Sequence, residues 1–181
     1  MTETPKNGIY GAVGEFEDGP ELVRAARIVR ERGYSKLDAF TPFPVHGIDE
    51  ALGIPGSKLG WIVVCCGSIG ATFALWLMWW TGSVDYPLVI GGKPLFAVEF
   101  AVPITFELTI LCSAFAAVFG MFGLNRLPRL YHPVFNFKNY QGVTDDRFLL
   151  AIEATDSSFD PVRSVQLLRE AGARSAEVVE A

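Results

Sequence analysis

The chain has 181 residues, half of them hydrophobic, with a mean hydropathy of +0.31 and a formal net charge of -5. That is enough for one modest domain, or for a smaller one plus membrane segments. An acidic balance argues against a nucleic-acid partner, which needs a clustered basic surface. The charge is also uneven: between Leu59 and Phe122 the only Asp, Glu, Lys or Arg residues are Asp85, Lys93, Glu99 and Glu107, a pattern of polar arms around a membrane core.

The opening MTETPKNGIYG has no basic stretch followed by an apolar core, so no cleavable signal peptide is expected. GIYGAVGEF (Gly8–Phe16) reads as a strand. DGPELVRAARIVRERG (Asp18–Gly33) reads as a helix with Leu22, Val23, Ala26 and Val29 on one face and Gly33 as its stop. KLDAFTPF (Lys36–Phe43) is a second strand, ended by Pro42 and Pro44. The first uncharged run, Gly60–Trp80, has 21 residues, with Trp61 at one end and Met78, Trp79 and Trp80 at the other. That is long enough to cross a hydrocarbon core of about 30 Å, with aromatic anchors at both interfaces. Gly67, Gly70 and Ala71 leave a small face for close helix contact. A short loop, residues 81–99, with Pro and Gly-Gly leads to a second span at about 100–124.

The pair predicts a transmembrane hairpin with both arms on one side. Lys58, Arg126, Arg129 and Lys138 flank the spans on the arm side, and Lys93 is the only basic residue in the loop. An excess of Lys and Arg marks the cytoplasmic side, so both termini are expected in the cytoplasm. The C-terminal arm repeats the order of the first. RFLLAIEA (Arg147–Ala154) is a strand. DPVRSVQLLREAG (Asp160–Gly172) is a helix with Asp160 as N-cap and Pro161 in its first turn, and SAEVVEA (Ser175–Ala181) is a strand.

One βαβ unit buries too little surface to stand alone. Two can pack as a four-stranded sheet with both helices on one face. The expected fold is therefore an α+β membrane protein. A two-helix transmembrane hairpin (59–124) is inserted between the βαβ halves (8–58 and 125–181) of a ferredoxin-like cytoplasmic domain.

Motifs for chemistry are absent. There is no phosphate-binding loop and no Gly-rich dinucleotide turn. There is no C-x-x-C-H for covalent haem and no four-cysteine run for an iron–sulfur cluster. Cys65, Cys66 and Cys112 all lie in the apolar runs and read as small buried residues. The two histidines, His46 and His132, stand in proline-flanked elbows between arms and spans. Because the arms share a side, the two can approach each other as a metal site or proton relay; the alternative is a pair of rigid elbows whose imidazoles bond nearby backbone.

Several long blocks carry a resemblance: YSKLDAFTPFPVHGIDEALG (Tyr34–Gly53), TGSVDYPLVIGGKPLF (Thr81–Phe96), PITFELTIL (Pro103–Leu111) and NRLPRLYHPVFN (Asn125–Asn136). In these the chain resembles the ActD subunits of bacterial alternative complex III, over about Gly8 to Ala173. The resemblance implies a quinol-oxidising respiratory complex that passes electrons to a cytochrome c or an oxidase. Its haem c groups sit on cytochrome subunits, its iron–sulfur clusters on a large peripheral subunit and its quinol site on a multi-span subunit. It further implies that this chain is a non-catalytic, cofactor-free accessory subunit in the bacterial inner membrane, with lipid and those subunits as partners. The rival reading is a membrane-anchored sensor of a small molecule or metal, which should show convergent polar residues on the sheet face.

Two carboxylates stand in or beside the second span. Glu99 can reach the interface. Glu107, eight residues on, lies about 12 Å deeper and should be protonated, paired or hydrogen-bonded. Its candidate roles are a bond to Ser68 or Thr72 of the first span, a bond to a neighbouring subunit, or a proton path. Pro103 removes a backbone donor one turn before it. In the loop, Asp85, Tyr86 and Lys93 either cap the hairpin or contact a periplasmic subunit.

Overall fold

A computed structural model describes residues 8–181, which divide into two compact units. One is built from residues up to Pro55 and from Leu130 to Ala181; the other is Gly56–Arg129.

The first unit holds one antiparallel four-stranded sheet, in the order β2-β3-β1-β4. Its strands are β1 (Ile9–Phe16), β2 (Leu37–Phe40), β3 (Phe148–Glu153) and β4 (Ser175–Glu180). Helix α1 (Gly19–Glu31) starts at Asp18, whose carboxylate accepts the Glu21 N–H at 2.7 Å. The short helix α2 (Ile48–Leu52) follows β2.

The strands bury alternate residues on opposite faces. Ala12, Phe16, Leu150 and Ile152 pack with Leu22, Ala26 and Val29 of α1 and with Leu168 of a later helix. Val13, Leu149, Ala151 and Val179 point the other way. That second face is covered too. Two 3-10 turns, Pro133–Asn136 and Tyr140–Thr144, lay Val134, Phe137 and Val143 across it. Polar bonds stitch this cover to β4: Asn136 Nδ2 donates to the Glu180 carbonyl at 3.2 Å, and the Lys138 N–H donates to the Glu177 carboxylate at 2.9 Å.

The second unit pairs helix α3 (Leu59–Trp80) with helix α4 (Val98–Asn125). Both are long and apolar enough to cross a membrane. They meet over small residues: Gly67, Gly70 and Ala74 of α3 are buried, as are Ala101 and Ala116 of α4. The approach demands glycine. A Cβ at Gly70 would stand 2.8 Å from the Leu108 carbonyl oxygen, and one at Gly67 would stand 2.4 Å from Ser113 Oγ. The small face read from the sequence is thus consumed inside the hairpin. A π-helical turn, Thr81–Asp85, ends α3. In the loop that follows, Lys93 N–H bonds the Ile90 carbonyl across Gly91 and Gly92, whose φ angles of 62° and 74° only glycine adopts freely.

Helix α5 (Pro161–Glu170) completes the first unit. Its N-cap Asp160 accepts the Val162 and Arg163 N–H groups at 3.1 and 2.8 Å.

Candidate functional site

No predicted site residue joins another in a single constellation. In the first unit His132 sits on the sheet face away from α1 and α5. Its ring meets Tyr10 at 5.2 Å and Phe40 at 5.4 Å, and its Nδ1 accepts the Val134 N–H at 3.2 Å. His46 lies on the opposite side, exposed beside a groove of about 830 Å³ floored by Phe43, Val45 and Phe148. The neighbouring Val45 packs into the helix-side core. Adjacent residues of β2 make the separation visible, because Ala39 joins the helix-side core and Phe40 the other. The two elbows are therefore not brought together as a His pair, and no group of three His, Cys, Asp or Glu residues able to hold a metal occurs among the described residues.

Two carboxylates that the sequence reading passed over are buried here instead. Glu15 on β1 is 2% exposed. It is ion-paired with Arg147 and accepts Asn139 Nδ2 at 2.8 Å and Ser175 Oγ at 3.1 Å. Burial alone would push its carboxyl up, but the donors from Asn139 and Ser175 and the Arg147 charge outweigh that and hold it below the usual range. Asp156 is equally buried. Burial again opposes ionisation, and the N–H groups of Ser158, Ser35 and Lys36, at 2.7 to 2.8 Å, overcome it and lower its pKa. Both carboxylates tie the N-terminal arm to the C-terminal one. The signal for Glu15 was its place inside an otherwise apolar strand, GAVGEF.

In the second unit Glu107 is exposed on the outward side of α4, and no hydrogen bond or ion pair joins it to another described residue. The expected internal partners are engaged elsewhere. Ser68 Oγ donates to the Val64 carbonyl and Thr72 Oγ1 to the Ser68 carbonyl, each at 2.8 Å. Both hydroxyls also line an outward groove with Ile69, Phe73 and Trp76, away from the buried face of Gly67, Gly70 and Ala74. The bond within the hairpin is therefore absent. Helix α4 runs about 42 Å, some 12 Å more than a hydrocarbon core, so a centred span puts Glu107 about 8 Å inside the apolar region. An ionised carboxylate facing lipid there costs about 3 kcal/mol on insertion scales.

Glu99 is exposed in the first turn of α4. Asp85 closes the π-helical turn, Tyr86 is 70% exposed, and the Lys93 ammonium lies 5.5 Å from the Phe100 ring. They flank the exposed apolar run Leu88, Val89 and Ile90 and do not bond one another. The cysteines are free thiols, but only partly as expected: Cys66 and Cys112 are half-buried and Cys65 is exposed, since it falls on the outward side of α3.

The model of the ActD subunits of alternative complex III matches residues 10–178. The chain belongs to the ActD family. It is thus a subunit of an electron-transport complex, and its two long apolar helices are compatible with a membrane location. No match is found among curated proteins.

Proposed function

We propose that the chain is a non-catalytic, cofactor-free membrane subunit that supports assembly of a quinol-oxidising alternative complex III. On this reading α3 and α4 cross the bacterial inner membrane as a hairpin, the loop at 81–99 is periplasmic and both termini are cytoplasmic. The sheet order β2-β3-β1-β4 supports a ferredoxin-like domain. Haem c and iron–sulfur clusters belong to partner subunits, and the quinol site to a multi-span neighbour.

The observation that carries the reading is the family match over nearly the whole chain. The outward faces of the spans support it. Phe73, Phe106 and Phe115 are half-exposed or more, and Glu107 faces the same surroundings with no partner among the described residues. Such a hairpin is complete only against lipid and other helices. The sensor reading finds less support, because the sheet face that a ligand would need is filled by Val134, Phe137 and Val143.

The test is a tagged chain purified from native membranes. It should bring down subunits with haem c and iron–sulfur absorption, and deletion of the chain should lower both the yield of intact complex and quinol oxidation. A tagged chain that purifies alone from gently solubilised membranes would sink the proposal. Glu107→Gln separates the proton role: normal assembly with turnover or proton release down about tenfold would give the carboxylate a part in proton transfer.

A further inference from the structure

We infer that α4 presents one acceptor-rich row running from the interface into the membrane, built to receive a lysine or arginine from a membrane helix of another subunit. The inference rests on the subunit reading above and names the chemistry of one contact. Glu99, Pro103 and Glu107 are spaced four residues apart and are all exposed, so they line one side of the helix. Glu99 and Glu107 offer acceptor side chains when ionised, and Pro103 frees one backbone acceptor between them. Pro103 has no N–H, so the Glu99 carbonyl loses its ordinary partner one turn on. The two side chains are carboxylates.

Nothing on the hairpin answers them. Neither α3 nor α4 contains a lysine or arginine. Lys93 rests over Phe100, and none of the ion pairs among the described residues involves Glu99 or Glu107. A glutamate is also too short to reach the interface from Glu107's depth in the way a long cationic side chain can. The row is bordered by Val102, Phe106 and Ile110, each at least half exposed, which supply apolar packing beside the polar contact. Charge complementarity therefore selects a helix that carries a cation with several N–H donors, rather than lipid or an apolar helix.

The experiment uses the purified complex. A photo-reactive residue replaces Ile110, beside Glu107, and a control replaces Ile69 on the outward groove of α3. The adduct from position 110 should map to a span of another subunit that contains a lysine or arginine. Glu107→Gln should lower retention of the chain in the complex about threefold, and Glu107→Leu about tenfold. Exchanging the pair, with Glu107→Lys opposite a glutamate in place of the mapped cation, should restore retention. That rescue keeps the test informative if single variants accumulate poorly. Adducts to lipid alone, a mapped span without a cation, or full retention of Glu107→Leu would each overturn the inference while leaving the subunit reading intact. Failure of the unsubstituted chain to co-purify with the haem and iron–sulfur subunits would remove the reading itself.

Discussion

The two units treat buried and membrane-facing charge in opposite ways. In the sheet unit, Glu15 and Asp156 are removed from water and each is answered within the chain, Glu15 by Arg147, Asn139 and Ser175, Asp156 by backbone N–H groups. In the helical unit, Glu107 stands exposed on an otherwise apolar helix, and no other described residue answers it. Satisfied buried charge is the mark of a unit that can hold its shape alone; unsatisfied charge on an outward face is the mark of one that needs a neighbour. The contrast suggests that the sheet unit supplies internal rigidity while the hairpin supplies attachment.

The strongest way to break this contrast is to orphan donors in the sheet unit. Asp156→Ala strands the N–H groups of Ser35, Lys36 and Ser158, and should cost about 3 kcal/mol. In the full chain in detergent, amide exchange across β1 and β3 should quicken about a hundredfold, with α3 and α4 little changed. Equal acceleration in both units would mean that they unfold together. Next in size is Gly70→Leu. Its Cβ would meet the Leu108 carbonyl at 2.8 Å and Cys112 at 2.9 Å, so the helices must separate at a cost of about 2 kcal/mol. Spin labels on the outward faces of α3 and α4 should report a wider separation, and an unchanged distance would show that the close approach is dispensable.

Much of the architecture was legible because the signals were local. Asp18 and Asp160 marked helix starts, and the apolar runs of α3 and α4 differ from the observed bounds by only a residue or two. What escaped was long-range. LPRLYHPVFN read as an elbow, yet its Val134 and the Phe137 just beyond it form part of a second core. The clue was that FLLAIE in β3 is apolar at nearly every position, as a strand covered on both faces must be. The partner of Glu15 was illegible for the same reason: Arg147 lies 132 residues away, and only the pairing of Phe16 with Phe148 brings them together. Conversely, the two histidines occupy similar proline-flanked contexts, and sequence cannot tell that the strand alternation sends their surroundings to opposite faces.

Acid should sharpen the contrast further, by a smaller effect. Both Glu15 and Asp156 have carboxyls held below their ordinary values of 4.5 and 3.8. A depressed folded pKa contributes stability that is fully present above the unfolded value and is lost as pH falls through the folded one. The stability these two carboxylates contribute should therefore be constant from neutrality to about 5 and weaken progressively below 4.5. Glu15→Gln, which keeps the side-chain shape, should remove Glu15's share of that dependence and leave the share of Asp156. Amide exchange in β1 as a function of pH measures it, and a slope unchanged in the variant would show that Glu15 has no part in the acid response.

The smallest expected effects separate the two histidines. His132→Ala removes ring contacts with Tyr10 and Phe40 and the acceptor for the Val134 N–H, so it should cost about 1 kcal/mol and quicken exchange in the cover over Val13 and Leu149. His46→Ala removes an exposed side chain at the edge of a groove and should stay within about 0.5 kcal/mol. Per assembled complex, both variants should oxidise quinol at the normal rate, since they sit on different faces and cannot act as a pair. A loss of turnover in His46→Ala without a loss of stability would contradict that, and would mean that the groove beside Phe43 meets a working part of the complex. A loss in His132→Ala would be less informative, because the ring is also a packing element; only His132→Gln, which retains an acceptor for Val134, could then divide chemistry from support.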